Sequence, residues 1–190
     1  PRSRSSGIWA VTGVVLADDA YLGGVHAGKP GRGSENTVPF MAAVELNDEG
    51  HPQHVRFDPI ADLKGPTMAS WARTALHEAV HLVTDGWASF PAAGAVVAKH
   101  GAIIVSPRKS SDLEVFEWVN TFISNLKTAI RGTYHHFDFE KYAARYLAEA
   151  QYRVNRRFEL RSLVDRLLLT CARTEPCSES WLRLGAVRAS

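Results

Sequence analysis

Cysteine is nearly absent from this sequence: 190 residues contain two, Cys171 and Cys177. Their spacing does not suit a zinc knuckle, and nothing near them completes a ligand set. Both are read as structural or neutral, in a reducing compartment. No apolar run approaches the roughly 20 residues that span a bilayer, so no membrane partner is expected. The start, Pro1 to Ser6, leads into no secretory hydrophobic region. It also lacks an initiator methionine, and the expectation is a fragment working in the cytoplasm. Internal repeats and low-complexity linkers are missing as well. Charge of one sign is scarce: 22 basic against 20 acidic residues leave a net charge of +2, too little to announce a nucleic-acid partner. What remains, 45% apolar and 22% charged residues, is ordinary globular composition. The length fits one domain with a proper core.

The distribution of charge says more than its sum. From Lys127 onward, basic residues outnumber acids, with Arg153, Arg156 and Arg157 the densest group. A second basic pair, Lys29 and Arg32, sits in the glycine-rich stretch from Gly23 to Gly33. Charge clusters of this kind also occur on plain solvated faces.

The pattern along the chain is α/β. Val11–Leu16 is β-branched and apolar and ends at Asp18-Asp19, as a buried strand does. Thr37–Leu46 and His54–Ile60 are two further strands across the turn signal Asn47–Gly50, with Val55 and Phe57 on one face. A helix is expected over Thr67–Leu76, a fourth strand over Ala79–Thr84, an alanine-rich helix over Trp87–His100 and a fifth strand over Ala102–Val105. From Ser110 to about Thr170 the chain reads as helical, broken near Gly132 and Phe137. The expectation is one domain over residues 1–172, with its core at about 11–160 and a tail at 173–190.

In this order an acid stands at the end of the first strand and another at the end of the fourth. Strand ends of α/β sheets face a crevice, where ligand-binding groups are commonly found. Asp18 and Asp85 on neighbouring strands would meet there, and paired carboxylates suit a hard cation such as Mg²⁺. The plainer alternative is that both initiate turns, since Asp85-Gly86 is a good turn dipeptide. A competing pattern is His77-Glu78-Ala79-Val80-His81. On a helix it would present two zinc ligands and a general base, as in a metallopeptidase. It runs straight into strand-like residues, and no convincing third ligand follows, although Glu114 and Glu117 exist.

Several segments together resemble one group of bacterial insertion-sequence transposases. The segment from Val14 to Gly24 resembles the opening of their catalytic domain, where an acid pair precedes Tyr, an aliphatic residue and Gly-Gly. Thr84-Asp85-Gly86-Trp87 is similar to the second motif, and Val119 to Lys127 to the third, followed by Gly132-Thr133-Tyr134-His135. The stretch from Lys141 to Arg157 resembles the family's helical end. The resemblance spans about residues 11–160.

That resemblance implies an RNase H-like fold, a central mixed five-stranded sheet flanked by helices with a helical C-terminal region. It implies metal-dependent cleavage and strand transfer of DNA at insertion-sequence ends. The ligands would be Asp18, Asp85 and Asn120, and the cofactor Mg²⁺ or Mn²⁺. The third position here is asparagine where many members carry glutamate. Asn120 lies 35 positions after Asp85, and Lys127 follows seven later, as the family pattern requires. Its neutral carbonyl is a weaker ligand than a carboxylate. Glu117 and Asp19 are lesser candidates. Lys127 is then expected at the reacting phosphate, and Lys29, Arg32, Arg153, Arg156 and Arg157 on DNA backbone, which position DNA without reading sequence. The partners implied are transposon-end and target DNA and further copies of the chain, in a nucleoid-associated setting. The zinc-ribbon DNA-binding part usual before this domain has no counterpart in the sequence, so an inert DNA-binding remnant stands as the alternative.

Overall fold

The computed structural model describes residues 10–23, 37–103, 114–134, 138–157 and 159–184. Its centre is β1 (Val14–Leu22), whose residues are buried in alternation on both faces. Leu16, Ala20 and Leu22 enter one core, Val15 and Ala17 the other. A strand apolar on both sides needs cover on both sides, and that dictates a layered domain. β2 (Val38–Leu46) pairs antiparallel with β1, and β3 (Pro52–Pro59) antiparallel with β2. The turn between them is built by Asn47, whose side-chain oxygen accepts from the backbone N–H of Glu49 and His51. Gly50 completes it with φ of 80°.

The chain then crosses through α1 (Gly65–Ala75) to β4 (His81–Thr84), parallel to β1, and through α2 (Phe90–Gly94) to β5 (Lys99–Ala102), parallel to β4. The strand order is β3-β2-β1-β4-β5. Met68, Trp71, Ala72 and Ala75 of α1 and Phe90 and Ala93 of α2 cover one face. The other is covered by α3 (Glu117–Thr133) and α4 (Phe139–Asn155) through Phe122, Ile123, Leu126, Ile130, Ala143 and Leu147. α5 (Leu163–Arg173) and α6 (Glu179–Arg183) follow. No helix among the described residues is long and apolar enough to cross a membrane.

The mixed five-stranded sheet and the helical C-terminal half are as expected, but several boundaries move. β1 does not stop at Leu16. It continues through Asp18-Asp19 to Leu22, because its ladder with β2 stays in register from Val14↔Leu46 to Leu22↔Val38. Asp18 therefore sits inside a strand rather than at its end. The helix expected over Trp87–His100 shrinks to five residues, and Lys99-His100 become strand residues. Pairing with β4 overrides their weak strand propensity. The fifth strand thus lies at Lys99–Ala102, ahead of the expected Ala102–Val105. The helical break near residues 132–137 is present, since α3 ends at Thr133 and α4 starts at Phe139.

The outer edge of β3 is closed by side chains, not by another strand. Asn155 accepts from the Val55 N–H (2.7 Å) and donates to its carbonyl (2.8 Å). Gln151, one turn earlier on α4, accepts from the Phe57 N–H at 3.0 Å. An exposed edge offers unpaired backbone groups to other chains, and covering it is a common defence. Removing this amide leaves two backbone groups of Val55 unsatisfied, each costing about 1–3 kcal/mol when buried. Asn155→Ala is therefore expected to lower unfolding stability by about 2 kcal/mol in a urea titration, whereas an exposed change such as Arg153→Ala stays within about 0.5 kcal/mol.

Candidate active site

The parallel ladder between β1 and β4 runs Val14↔His81, Val15↔Leu82, Leu16↔Val83. Continued two residues past its last pair, this offset would lead from Asp18 to Asp85, which stands one residue beyond the end of β4. Leu16 and Val83, the residues two before each acid, share the core under α3 and α4. Asp19 is the next residue on β1 and points to the opposite face.

Asp18 is buried, with 7% of its surface exposed, and one of its carboxylate oxygens accepts from the Asp19 N–H at 2.8 Å. Asp85 follows the last residue of β4, and one of its oxygens accepts from the Trp87 N–H at 3.1 Å. This closes a tight turn in which Gly86 takes φ of 79°.

The two acids of β1, Asp18 and Asp19, attract a cation. Burial and neighbouring Arg131 push the Lys127 amine below the ordinary lysine range, while Asp18 and Asp19 pull it back up. Lys127 on α3 is thus the amine that answers the carboxylates of β1. Asn120 lies on the same helix face, two turns or about 10.5 Å earlier along the axis. Its Nδ2 is buried without a hydrogen-bond partner. α3 enters beside the β2–β3 turn, where Trp118 Nε1 donates to the Gly50 carbonyl at 3.1 Å. It leaves where Tyr134 packs on Tyr146, ring centroids 4.3 Å apart. Asn120 consequently sits on the β2–β3-turn side of Lys127. Glu117, at the exposed start of α3, is farther along in that direction.

Among the described residues no three His, Cys, Asp or Glu side chains converge as a metal-ligand group. Carboxylates such as those of Asp18 and Asp85 are the oxygen donors a hard divalent ion takes, and Asn120 could add only its side-chain carbonyl oxygen, not the unpartnered Nδ2.

The arginines lie elsewhere. α4 runs along β3, two strands from β1. Arg157 donates to the carbonyls of Val154 (2.8 Å) and Pro52 (2.7 Å) and stacks on Phe122. Arg156 lies over the Tyr152 ring at 3.8 Å. Arg153 pairs with Glu149 at 2.6 Å. The structure does not bring these three beside Asp18. Lys29 and Arg32 lie outside the described residues.

The metallopeptidase pattern has no helix to stand on. Leu76 bridges to Val11, a turn closes from Val80 N–H to His77 carbonyl, and His81 opens β4. His77 and His81 are not one helical turn apart, so the shared zinc face does not form. Ala79–Thr84 is extended only from His81, since Glu78 and Ala79 form the turn.

Sequence reasoning missed the support behind Asp85. Thr84 is fully buried, and its hydroxyl meets His100 Nε2 at 2.9 Å across the β4–β5 pair. The Gly86 N–H reaches the same hydroxyl at 3.5 Å. His100 in turn lies under Gly94 of α2, where a Cβ would come within 2.3 Å of its Nδ1. The turn that carries Asp85 is thus braced by residues from β5 and α2. No local pattern marks them, because the contacts exist only after the strands pair.

A mixed five-stranded sheet ordered 3-2-1-4-5 and flanked by helices is the arrangement of the RNase H-like class of α/β domains. The chain belongs to the insertion-sequence transposases: the family model described as ISXO2-like transposase domain matches residues 10–155. No curated protein and no solved structure matches. The family is of the polynucleotidyl transferase or endonuclease kind and implies DNA binding.

Burial, and then the charge of His81, lowers the pKa of His100 from 6.5. A base with a depressed folded pKa disfavours its proton in the native state. Its contribution to stability is complete above pH 6.5 and is lost as pH falls through and below that value. The urea midpoint is expected to drop between pH 7.5 and 5.5, and His100→Gln, which keeps a partner for Thr84, is expected to flatten that drop.

Proposed function

We propose that this chain is the catalytic domain of a DNA transposase, cutting and joining DNA at insertion-sequence ends with Mg²⁺ or Mn²⁺ and acting as a homo-oligomer at the nucleoid. The observation that carries the reading is the parallel pairing of β1, which holds Asp18, with β4, which leads into Asp85, together with the pull of Asp18 and Asp19 on Lys127. Asp18 and Asp85 would each offer carboxylate oxygens to the metals, and Asn120 its side-chain carbonyl. One Asp85 oxygen already accepts from Trp87, so the other is the one directed at a ligand. Bound divalent ions supply charge neutralisation for the attacking and leaving oxygens of in-line displacement at phosphorus. In that displacement a water or DNA 3′-hydroxyl oxygen forms a bond to phosphorus, and the bond to the leaving 3′-oxygen breaks.

Lys127 has a distinct task. Asp18 and Asp19 favour its charged form, so it offsets part of their charge while no DNA is present, and it could turn to a phosphate oxygen once metal satisfies them. Arg153 is the most open of the three arginines, with 73% of its side chain exposed. Together with Lys29 and Arg32 it is the main candidate for backbone contact. Arg156 and Arg157 would contribute only after leaving the Tyr152 ring and the Pro52 carbonyl.

The test is a nicking assay on duplex carrying the element's ends, run with Mg²⁺ beside a salt titration of binding. Asp18→Asn and Asp85→Asn are each expected to lower cleavage by about 100-fold or more, the scale of losing a group that stabilises transition-state charge. Their thermal midpoints should stay near that of the unaltered chain. Lys127→Met should reduce cleavage far more than binding. Loss of Arg153 should flatten the salt dependence by roughly 0.9 log units per tenfold salt for each phosphate contact removed. DNA binding without metal-dependent nicking would instead identify an inert remnant, and cleavage unaffected by Asp18→Asn would remove the carboxylate site from the mechanism.

A further inference from the structure

Ten large apolar side chains are exposed among the described residues, and seven of them lie between 160 and 184. Most belong to α5 and the 3₁₀ turn before it. α5 is strongly amphipathic, yet none of its residues is buried. At 3.6 residues per turn, Leu160, Val164, Leu167, Leu168 and Cys171 form one stripe, with Val164 at its centre. Leu160, Val164 and Leu168 each keep more than 60% of their surface open. The stretch is not a loose tail. α6 beyond it is tied back to α4, where Arg145 donates to the Leu182 carbonyl at 2.8 Å and lies over the Trp181 ring at 4.8 Å. An isolated helix of eleven residues is marginal in water, so α5 gains little by standing alone. It also lies beyond residues 10–155, the stretch shared with the family domain.

We propose that the apolar face of α5 is a two-fold interface with a second copy of this chain. The inference rests on the reading that the chain acts as a homo-oligomer, and names the surface. The sequence of the stripe is self-complementary. In an antiparallel pair centred on Val164, Leu160 meets the partner's Leu168, and Val164 meets the partner's Val164. Arg161 and Asp165 share one flank of the helix. Two-fold symmetry brings like flanks together, so Arg161 of each copy comes within about two residues' rise of the partner's Asp165, and the two Asp165 side chains lie at the same offset from each other with an arginine beside each.

The exposed side chains amount to on the order of 500 Å² in each copy, hence roughly 1,000 Å² in a pair, at the lower limit of a specific interface. The association is accordingly of the transient kind, with a dissociation constant on the order of micromolar. A lipid surface fits less well. Helices lying on membranes carry a polar face rich in Lys and Arg, whereas the acids Glu159 and Asp165 interrupt the basic residues here.

Sedimentation velocity on the whole chain, without DNA or metal, tests this independently of catalysis. The unaltered protein is expected to move from monomer to dimer between about 1 and 100 µM. Val164→Glu with Leu168→Glu should weaken association at least tenfold while leaving the circular dichroism spectrum and thermal midpoint nearly unchanged, because both residues are open in the monomer. Arg161→Glu alone should weaken it, and Arg161→Glu with Asp165→Arg should restore it. A chain that stays monomeric at 100 µM overturns the proposal, as does a double-glutamate variant that pairs as well as the parent. Failure of the charge exchange to rescue overturns the antiparallel two-fold arrangement. Co-sedimentation of the monomer with vesicles of phosphatidylserine and phosphatidylcholine, lost in the double-glutamate variant, would assign the stripe to lipid instead. If the double-glutamate variant is monomeric and still nicks DNA, the interface stands and the requirement for an oligomer in catalysis falls. If a normal dimer fails to nick, the catalytic reading falls alone.

Discussion

Everything at the candidate site depends on the parallel pairing of β1 with β4. The two strands are separated by two other strands and a helix in sequence, and only their ladder fixes which residues are neighbours. A slip of one residue would turn one of the two acids to the opposite face of the sheet, among the apolar side chains of α1 and α2. The register is held because slipping would also invert Leu82 and Val83, which are buried in different cores. The force that fixes how β1 and β4 lie against each other is therefore hydrophobic, and the packing above and below the strands holds the segments that carry the acids.

That arrangement needs a counter-charge, and α3 supplies one. Lys127 reaches the sheet from a helix anchored by Val119, Phe122, Ile123, Leu126 and Ile130, all buried. One protein amine near the carboxylates offsets part of their charge in the absence of ligand and leaves the site net negative. Bringing divalent ions and phosphates to it exchanges one set of charge pairings for another, and no bare charge is left in a low-dielectric interior.

Much of this was legible in the sequence. The acids, Asn120 and Lys127 stand out by their spacing and by the family resemblance. The five strands follow from β-branched runs and turn residues such as Asn47 and Gly50. The errors share one cause. β1 looked short because Asp18-Asp19 interrupt an apolar run, yet nine continuous pairings with β2 carry the strand past them. Lys99 and His100 looked helical by composition, and only their place beside β4 makes them strand residues. Thr84, His100 and Gly94 carry no mark of partnership, because three separate elements must pack before they touch. His77 and His81 are the opposite case, a local pattern with a clear chemical meaning that its strand-like context already argued against and that the backbone does not honour.

The amide cap on β3 has a consequence for how this sheet can take part in larger assemblies. A sheet normally has two open margins, and either can accept another strand. Here Gln151 and Asn155 occupy backbone positions on one margin that a visiting strand would need. Growth by strand addition is thereby made one-sided. Any segment that joins the sheet, from this chain or from another, must do so next to β5, on the flank nearest Asp85. The closed margin gives the domain a direction: one side is finished, and the other is where new structure can be added without disturbing the carboxylates' register.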